Sequence, residues 1–155
     1  MQQARAPQIV LAVSTKTMPN YKTLADLRGK KIGVTAPGSS TNMVASFVLD
    51  GAGVNSKEVS FIGVGAGSGA VAAMKTGQID AIANLDPVIS SLERDGAIKV
   101  LVDTRKMSAT REVFGGDMPA GSLYAPETFI KANPKTVQGM TNAMVKAARW
   151  IQQAS

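Results

Sequence analysis

The chain contains neither cysteine nor histidine. Without cysteine there are no disulfides and no thiolate to act as nucleophile or soft metal ligand. Without histidine the usual general base and the commonest metal ligand are also missing. Aromatic residues make up 5% of the chain, with a single Trp, too few to build a stacking platform for nucleic-acid bases. Long apolar runs are lacking too: Ile9 to Val13 is too short to span a membrane and does not read as the core of a signal peptide. Acidic side chains are outnumbered 11 to 17 by Lys and Arg, for a net charge of +6. Only Arg28, Lys30 and Lys31 cluster. This diffuse field suits a small anionic ligand and not a nucleic acid.

These absences bear on catalysis. No carboxylates are paired in an acid/base setting. Ser39 as a nucleophile has no His to activate it. Pairing it with Lys30 or Lys31 is unfavourable, because those lysines start the strand that Ser39 follows. The expectation is a binding protein with no catalytic residue, no cofactor and no metal.

What is present is enough for a core. A chain of 155 residues with 45% hydrophobic residues can bury roughly 70% of its unfolded surface. Pro7 to Ser14 holds a continuous apolar run, the pattern of a strand covered on both faces. Thr15 to Tyr21 is polar, contains Pro19, and reads as a linker or hinge. Thr23 and Asp26 form a capping-box pattern, and Gly29 closes that short helix. Lys31 to Thr35 reads as a strand, Thr41 to Asp50 as a helix, Glu58 to Val64 as a strand, and Val71 to Met74 as part of a helix ending at Gly77. Ile79 to Ala83 is a further strand. Asp86 and Pro87 supply a cap and a first helical residue for the helix carrying Val88, Ile89 and Leu92. Ile98 to Val102 is the next strand. Lys106 to Asp117 reads as charged and irregular, Ser122 to Ala125 as a strand, and the stretch after Pro126 as a short helix. A final helix from Asn133-Pro134 carries Val137, Met140, Met144, Ala147 and Ile151 as one apolar stripe.

Strands alternating with helices through short Gly turns predict an α/β fold, a mostly parallel sheet with helices on both faces. In such sheets the strand C-ends and helix N-termini share one edge, where ligands bind. Three turns fall there. The first is Gly38-Ser39-Ser40-Thr41, hydroxyl-rich where a helix begins. Its first N–H groups lack intrahelical partners and the helix dipole favours an anion; a plain N-cap is the alternative. The second is Gly65-Ala66-Gly67-Ser68-Gly69, which lacks G-x-G-x-x-G spacing and also suits a tight turn. The third holds Asn84 and Asp86, the latter equally a helix cap.

The segment Leu24-Ala25-Asp26-Leu27-Arg28-Gly29-Lys30-Lys31-Ile32-Gly33-Val34, followed by Gly38-Ser39-Ser40-Thr41, resembles the second lobe of periplasmic solute-binding proteins of ABC transporters. The nitrate/sulfonate/taurine and thiamine-precursor (NMT1/THI5-like) branch is the nearest match. Gly67 to Met74, Gly77-Gln78-Ile79-Asp80-Ala81, and Asn133-Pro134 to Trp150 fit the same branch. The resemblance implies the second lobe of a type II periplasmic-binding-protein fold plus remnants of the first lobe. Residues 1–20 would be a first-lobe strand and crossover at Thr15 to Asn20, 21–104 the ligand-binding lobe, and 105–155 the return crossover and first-lobe helices. It implies capture of a small anionic or sulfonate-like ligand between lobes and delivery to a membrane permease. The full-length parent would be periplasmic, or extracellular and lipid-anchored. Gly38, Ser39, Ser40 and Thr41 would hold the anion, Gly67 and Ser68 would add a contact, and Asn84 and Asp86 would read a polar or amine end. An effector domain of a transcription regulator shares this architecture but needs a DNA-binding segment, and a small enzyme on the fold needs a base. With much of one cleft wall missing, the stripe of the final helix and an open edge at Ile9 to Val13 predict a homodimer.

Overall fold

A computed structural model of the chain describes residues 7–119, 121 and 123–153. Its strands are β1 (Val10–Ser14), β2 (Lys31–Val34), β3 (Ser60–Gly63), β4 (Ala81–Asn84) and β5 (Ile98–Asp103). They form one sheet in the order β3-β2-β4-β1-β5. β2 pairs in parallel with β3 and β4, and β1 runs antiparallel to both β4 and β5. β5 thus points the same way as β2, β3 and β4, and β1 alone is reversed.

The helices are α1 (Ser40–Gly51), α2 (Ser68–Thr76), α3 (Val88–Arg94), α4 (Met107–Phe114), α5 (Glu127–Ala132) and α6 (Pro134–Gln153), with 3-10 turns at Leu24–Leu27 and Ser56–Glu58. Two cores flank the sheet. On one face Ile9, Leu11 and Val13 pack with Leu27, Ile32, Val34 and the α1 residues Val44, Ala45, Val48 and Leu49, edged by Val113 and Phe114 of α4. On the other, Val10 and Ala12 pack with Ala70, Ala73 and Met74 of α2 and Val88, Ile89 and Leu92 of α3. The continuous apolar run of β1 follows from this position: alternate side chains enter opposite cores.

The structure corrects three expectations. First, β1 has no open edge. It is bonded on both sides within this sheet, Leu11 facing Ala83 on β4 and Val102 on β5. The Thr15 to Tyr21 stretch follows β1. It lies at the opposite end of β1 from residue 10 and is tied down: Thr15 N–H donates to Ala97 O, and Lys16 Nζ to the carbonyls of Lys75 and Thr76 at the end of α2. Second, Lys106 to Asp117 is not irregular, because it contains α4. Buried Thr110 donates to the carbonyls of Thr104 and Lys106, and Phe114 stacks on Phe47 with ring centroids 5.3 Å apart. The local Thr110 bonds and the long-range Phe114 contact outweigh a charged composition. Third, Leu123 to Ala125 form no strand, and Ser122 lies outside the described residues.

α5 and α6 pack against each other, and no described residue of α6 is buried.

Candidate functional site at the carboxyl edge of the sheet

Parallel direction brings the C-ends of β2, β3, β4 and β5 to one edge. Val10, at the start of reversed β1, lies opposite both Asn84 and Asp103. The rim therefore holds Thr35 to Thr41, Gly65 to Ser68, Asn84 to Asp86, Asp103 to Arg105, and the residues just before β1.

At α1, Gly38 adopts φ +77°, a conformation glycine reaches without steric penalty. Its N–H donates to Asn42 Oδ1 over 2.9 Å. Ser39 is the N-cap, its hydroxyl accepting from Asn42 N–H at 3.4 Å. Thr41 is fully buried. Its hydroxyl accepts from the Thr35 N–H at 3.0 Å and lies 2.9 Å from Thr35 Oγ1 and 2.8 Å from Ser39 Oγ. Thr35 Oγ1 in turn donates to Ser39 Oγ at 3.0 Å. Three hydroxyls thus close a triangle in which each proton can fill one edge. The Ser39 and Thr41 hydroxyls, both expected at the anion site, are hydrogen-bonded to each other and to Thr35. Ser40 is exposed. The Ser40 and Thr41 N–H groups, first in the helix, have no intrahelical acceptor. No acidic residue sits in the first turn of α1 or α2, so the positive end of each dipole is uncompensated by its own helix.

At α2, Gly67 is the N-cap and Ser68 the first helical residue, both exposed. A hydrogen-bond chain links this turn to its neighbours. Gly65 N–H donates to Thr35 O at 3.1 Å, and Asn84 Nδ2 donates to Gly65 O at 2.9 Å. Asn84 Oδ1 accepts from Leu85 N–H. Asn84 is fully buried and braces the rim from beneath through these bonds.

Asp86 is at the rim and partly exposed. Its Oδ1 accepts from both the N–H and the hydroxyl of Ser90, at 3.0 and 2.6 Å. It also joins a cluster that sequence reasoning missed. Arg105 donates to Asp103 through Nε at 2.8 Å, to Glu93 through both terminal nitrogens at 3.1 and 3.0 Å, and to Asp86 at 3.4 Å. Burial pushes the Asp103 carboxyl up, but the Arg105 hydrogen bonds outweigh this and hold it below the usual carboxylate range. Burial likewise raises Asp86, and Ser90 and Arg105 bring it down further than that. Arg105, bonded to Asp103 and Glu93, is held above its ordinary value. Three carboxylates against the Arg105 guanidinium and the Lys106 ammonium, 3.8 Å from Asp103, leave this cluster with one net negative charge. The residues were scattered in sequence at 86, 93, 103 and 105, and only the sheet order unites them.

A cavity of about 480 Å³ adjoins the α1 terminus, lined by Pro7, Ile9, Ser40, Met43, Phe47, Phe114, Met118 and neighbours. No group of three or more His, Cys, Asp or Glu that could hold a metal occurs among the described residues. No helix among them is long and apolar enough to cross a membrane.

This sheet and its rim define one lobe of the periplasmic binding-protein fold. The chain belongs to the NMT1-like family, whose model matches residues 5–155. A solved protein from Bordetella bronchiseptica RB50 is 61% identical, with a TM-score of 0.90 over 97% of this chain and 47% of that one. The alkanesulfonate-binding protein SsuA from Xanthomonas axonopodis pv. citri, bound to MOPS, is 25% identical with a TM-score of 0.66, over 92% of this chain and 45% of that one. A protein described as the periplasmic sulfonate-binding protein SsuA from Methylobacillus flagellatus KT is 27% identical with a TM-score of 0.67, over 96% and 43%. The chain spans less than half the length of each of these solved chains. No curated protein matches it.

Proposed function

We propose that this chain forms the ligand-binding lobe of a periplasmic solute-binding component of an ABC uptake system, taking a small anion with a sulfonate-like head. The observation that carries the reading is the first turn of α1. It presents the N–H groups of Ser40 and Thr41 and the exposed Ser40 hydroxyl at a helix terminus free of acidic residues. Gly67 and Ser68 offer a second set of donors at the start of α2. The Asp86–Arg105 cluster gives the opposite pole of the rim, able to meet a polar or amine end. The likeness to SsuA proteins supports the sulfonate-like head, and the description of those proteins as sulfonate-binding supports capture without turnover. Delivery to a membrane permease belongs to the same reading.

Ser40 allows a direct test. Proline is tolerated as the first residue of a helix, and the preceding Ser39 is already extended at ψ 168°. Ser40→Pro should therefore keep the fold while deleting one N–H and one hydroxyl. Calorimetric affinity for methanesulfonate or MOPS should fall by about 1–3 kcal/mol, the range for charge-assisted bonds. Affinity equal to wild type would reduce Ser40 to an ordinary surface serine.

A second partner in this reading is another copy of the chain, docked through the apolar stripe of α6. The open strand edge no longer contributes to that argument.

A further inference from the structure

We propose that Gln8 is a ligand-contacting, specificity-determining residue of the rim. The assignment rests on the anion-binding reading above and adds a residue on which the sequence carries no motif. Gln8 has φ +58° and, among the described residues, is the one non-glycine residue with positive φ. That conformation is uncommon for a side chain of this kind and is kept only where the surroundings enforce it.

The surroundings do enforce it. Immediately after Gln8, Ile9 is clamped to the end of β5 by three hydrogen bonds. Ile9 N–H donates to Thr104 Oγ1 at 2.9 Å, Thr104 Oγ1 donates to Ile9 O at 2.7 Å, and Thr104 N–H donates to the same carbonyl at 3.1 Å. Ile9 is 2% exposed and Thr104 fully buried, and Thr104 O is itself held by the Thr110 hydroxyl. This clamp fixes β1 for pairing, and β1 needs no help from a strained Gln8 to stay in the sheet.

The place of the strain is informative. β1 lies between β4 and β5, and Val10 faces both Asn84 and Asp103. Gln8, two residues earlier, therefore stands at the carboxyl edge, one strand in from β5. Its neighbours Pro7 and Ile9 line the same cavity as Ser40, so the backbone at Gln8 passes near the α1 terminus. Gln8 is half-buried, and its carboxamide is hydrogen-bonded to no other described residue. A carboxamide carries two donors and an acceptor. At this spot, between the β4 and β5 ends of the rim and near the α1 terminus, the donors suit an oxyanion and the acceptor an ammonium.

Three variants test this. Gln8→Gly removes the carboxamide but accepts positive φ freely, Gln8→Ala removes the carboxamide and keeps the backbone strained, and Gln8→Asn keeps a shorter carboxamide on a residue tolerant of this conformation. The probes are MOPS and methanesulfonate, with inorganic sulfate alongside. The expected result is opposite signs. Gln8→Gly should melt at or above the wild-type temperature yet bind MOPS about tenfold more weakly, the loss expected for one charge-assisted hydrogen bond. Gln8→Ala should lose the same affinity without the gain in melting temperature, and Gln8→Asn should retain part of it. If wild type binds and Gln8→Gly binds equally well, the Gln8 assignment is overturned while the anion site stands. If Gln8→Gly melts well below wild type, the side chain is structural and the assignment is also overturned. If wild type binds none of the three probes, the anion-site reading fails and takes this assignment with it.

Discussion

Ser39, Ser40 and Thr41 are three consecutive hydroxyl residues with three separate jobs. Ser39 caps the helix, Ser40 is open to solvent, and Thr41 is buried in a hydroxyl triangle with Thr35 and Ser39. The sequence marks the helix start through all three but cannot say which way each side chain points. Spacing one residue apart on a helix turns the direction by about 100°. Thr41→Val keeps the shape but leaves the Thr35 N–H without its acceptor. It should cost about 1–3 kcal/mol of unfolding free energy in urea, the price of an unsatisfied buried donor, while Thr41→Ser should recover most of it. A fully stable Thr41→Val protein would show that the triangle does not hold the turn.

Between elements, the main electrostatic feature is Arg105, which ties the end of β5 to α3 and to the β4–α3 turn. Asp103 and Asp86 both have depressed pKa values in the folded state. A depressed carboxylate stabilises the fold above its unfolded pKa, and that contribution is lost as pH falls through the folded value. The melting temperature should therefore hold steady near neutrality and decline below about pH 4, the range of an unperturbed Asp. Arg105→Gln leaves Asp86 and Glu93 without their cation and Asp103 with only Lys106, 3.8 Å away. That variant should be less stable at pH 7 and should lose less, or gain, on acidification, because protonation then relieves repulsion. Parallel melting curves for the two proteins would refute this. α4 belongs to the same scale: Phe114 stacks on Phe47, a contact that no local window contains.

For the whole molecule, the contrast lies between a sheet with two filled cores and a helical hairpin with an uncovered face. Met140 and Met144 are 49% and 54% exposed. With Phe129 and Ile130 of α5 they line a groove of about 590 Å³. At 100° per residue, Lys135, Lys146 and Arg149 fall on the face of α6 opposite this stripe, so charge does not oppose docking of the apolar side. Burying a large aliphatic side chain is worth about 1.5–3 kcal/mol, and a continuous apolar patch of this kind marks an interaction surface. Sedimentation should show an average mass that rises with concentration, and the pair Met140→Gln and Met144→Gln should suppress it. A wild-type monomer at high concentration would end the self-association proposal.

The sequence by itself determined the alternation of strands and helices, the Gly turns and the apolar faces. Periodicity and turn chemistry are local, and each is written in a few adjacent residues. The rim was legible as far as parallel strands dictate that their C-ends converge, which is why the Gly38 to Thr41 and Gly67–Ser68 turns meet there. Only the tertiary structure decided that β1 is reversed and lies between β4 and β5, since an apolar run buried on both faces reads the same in either direction and at any inner position. That placement sets Gln8 on the rim, encloses Asn84 beneath it, and brings Asp86, Glu93 and Asp103 around Arg105. Strand order is a long-range choice made by packing two cores at once, and no short stretch of the chain encodes it.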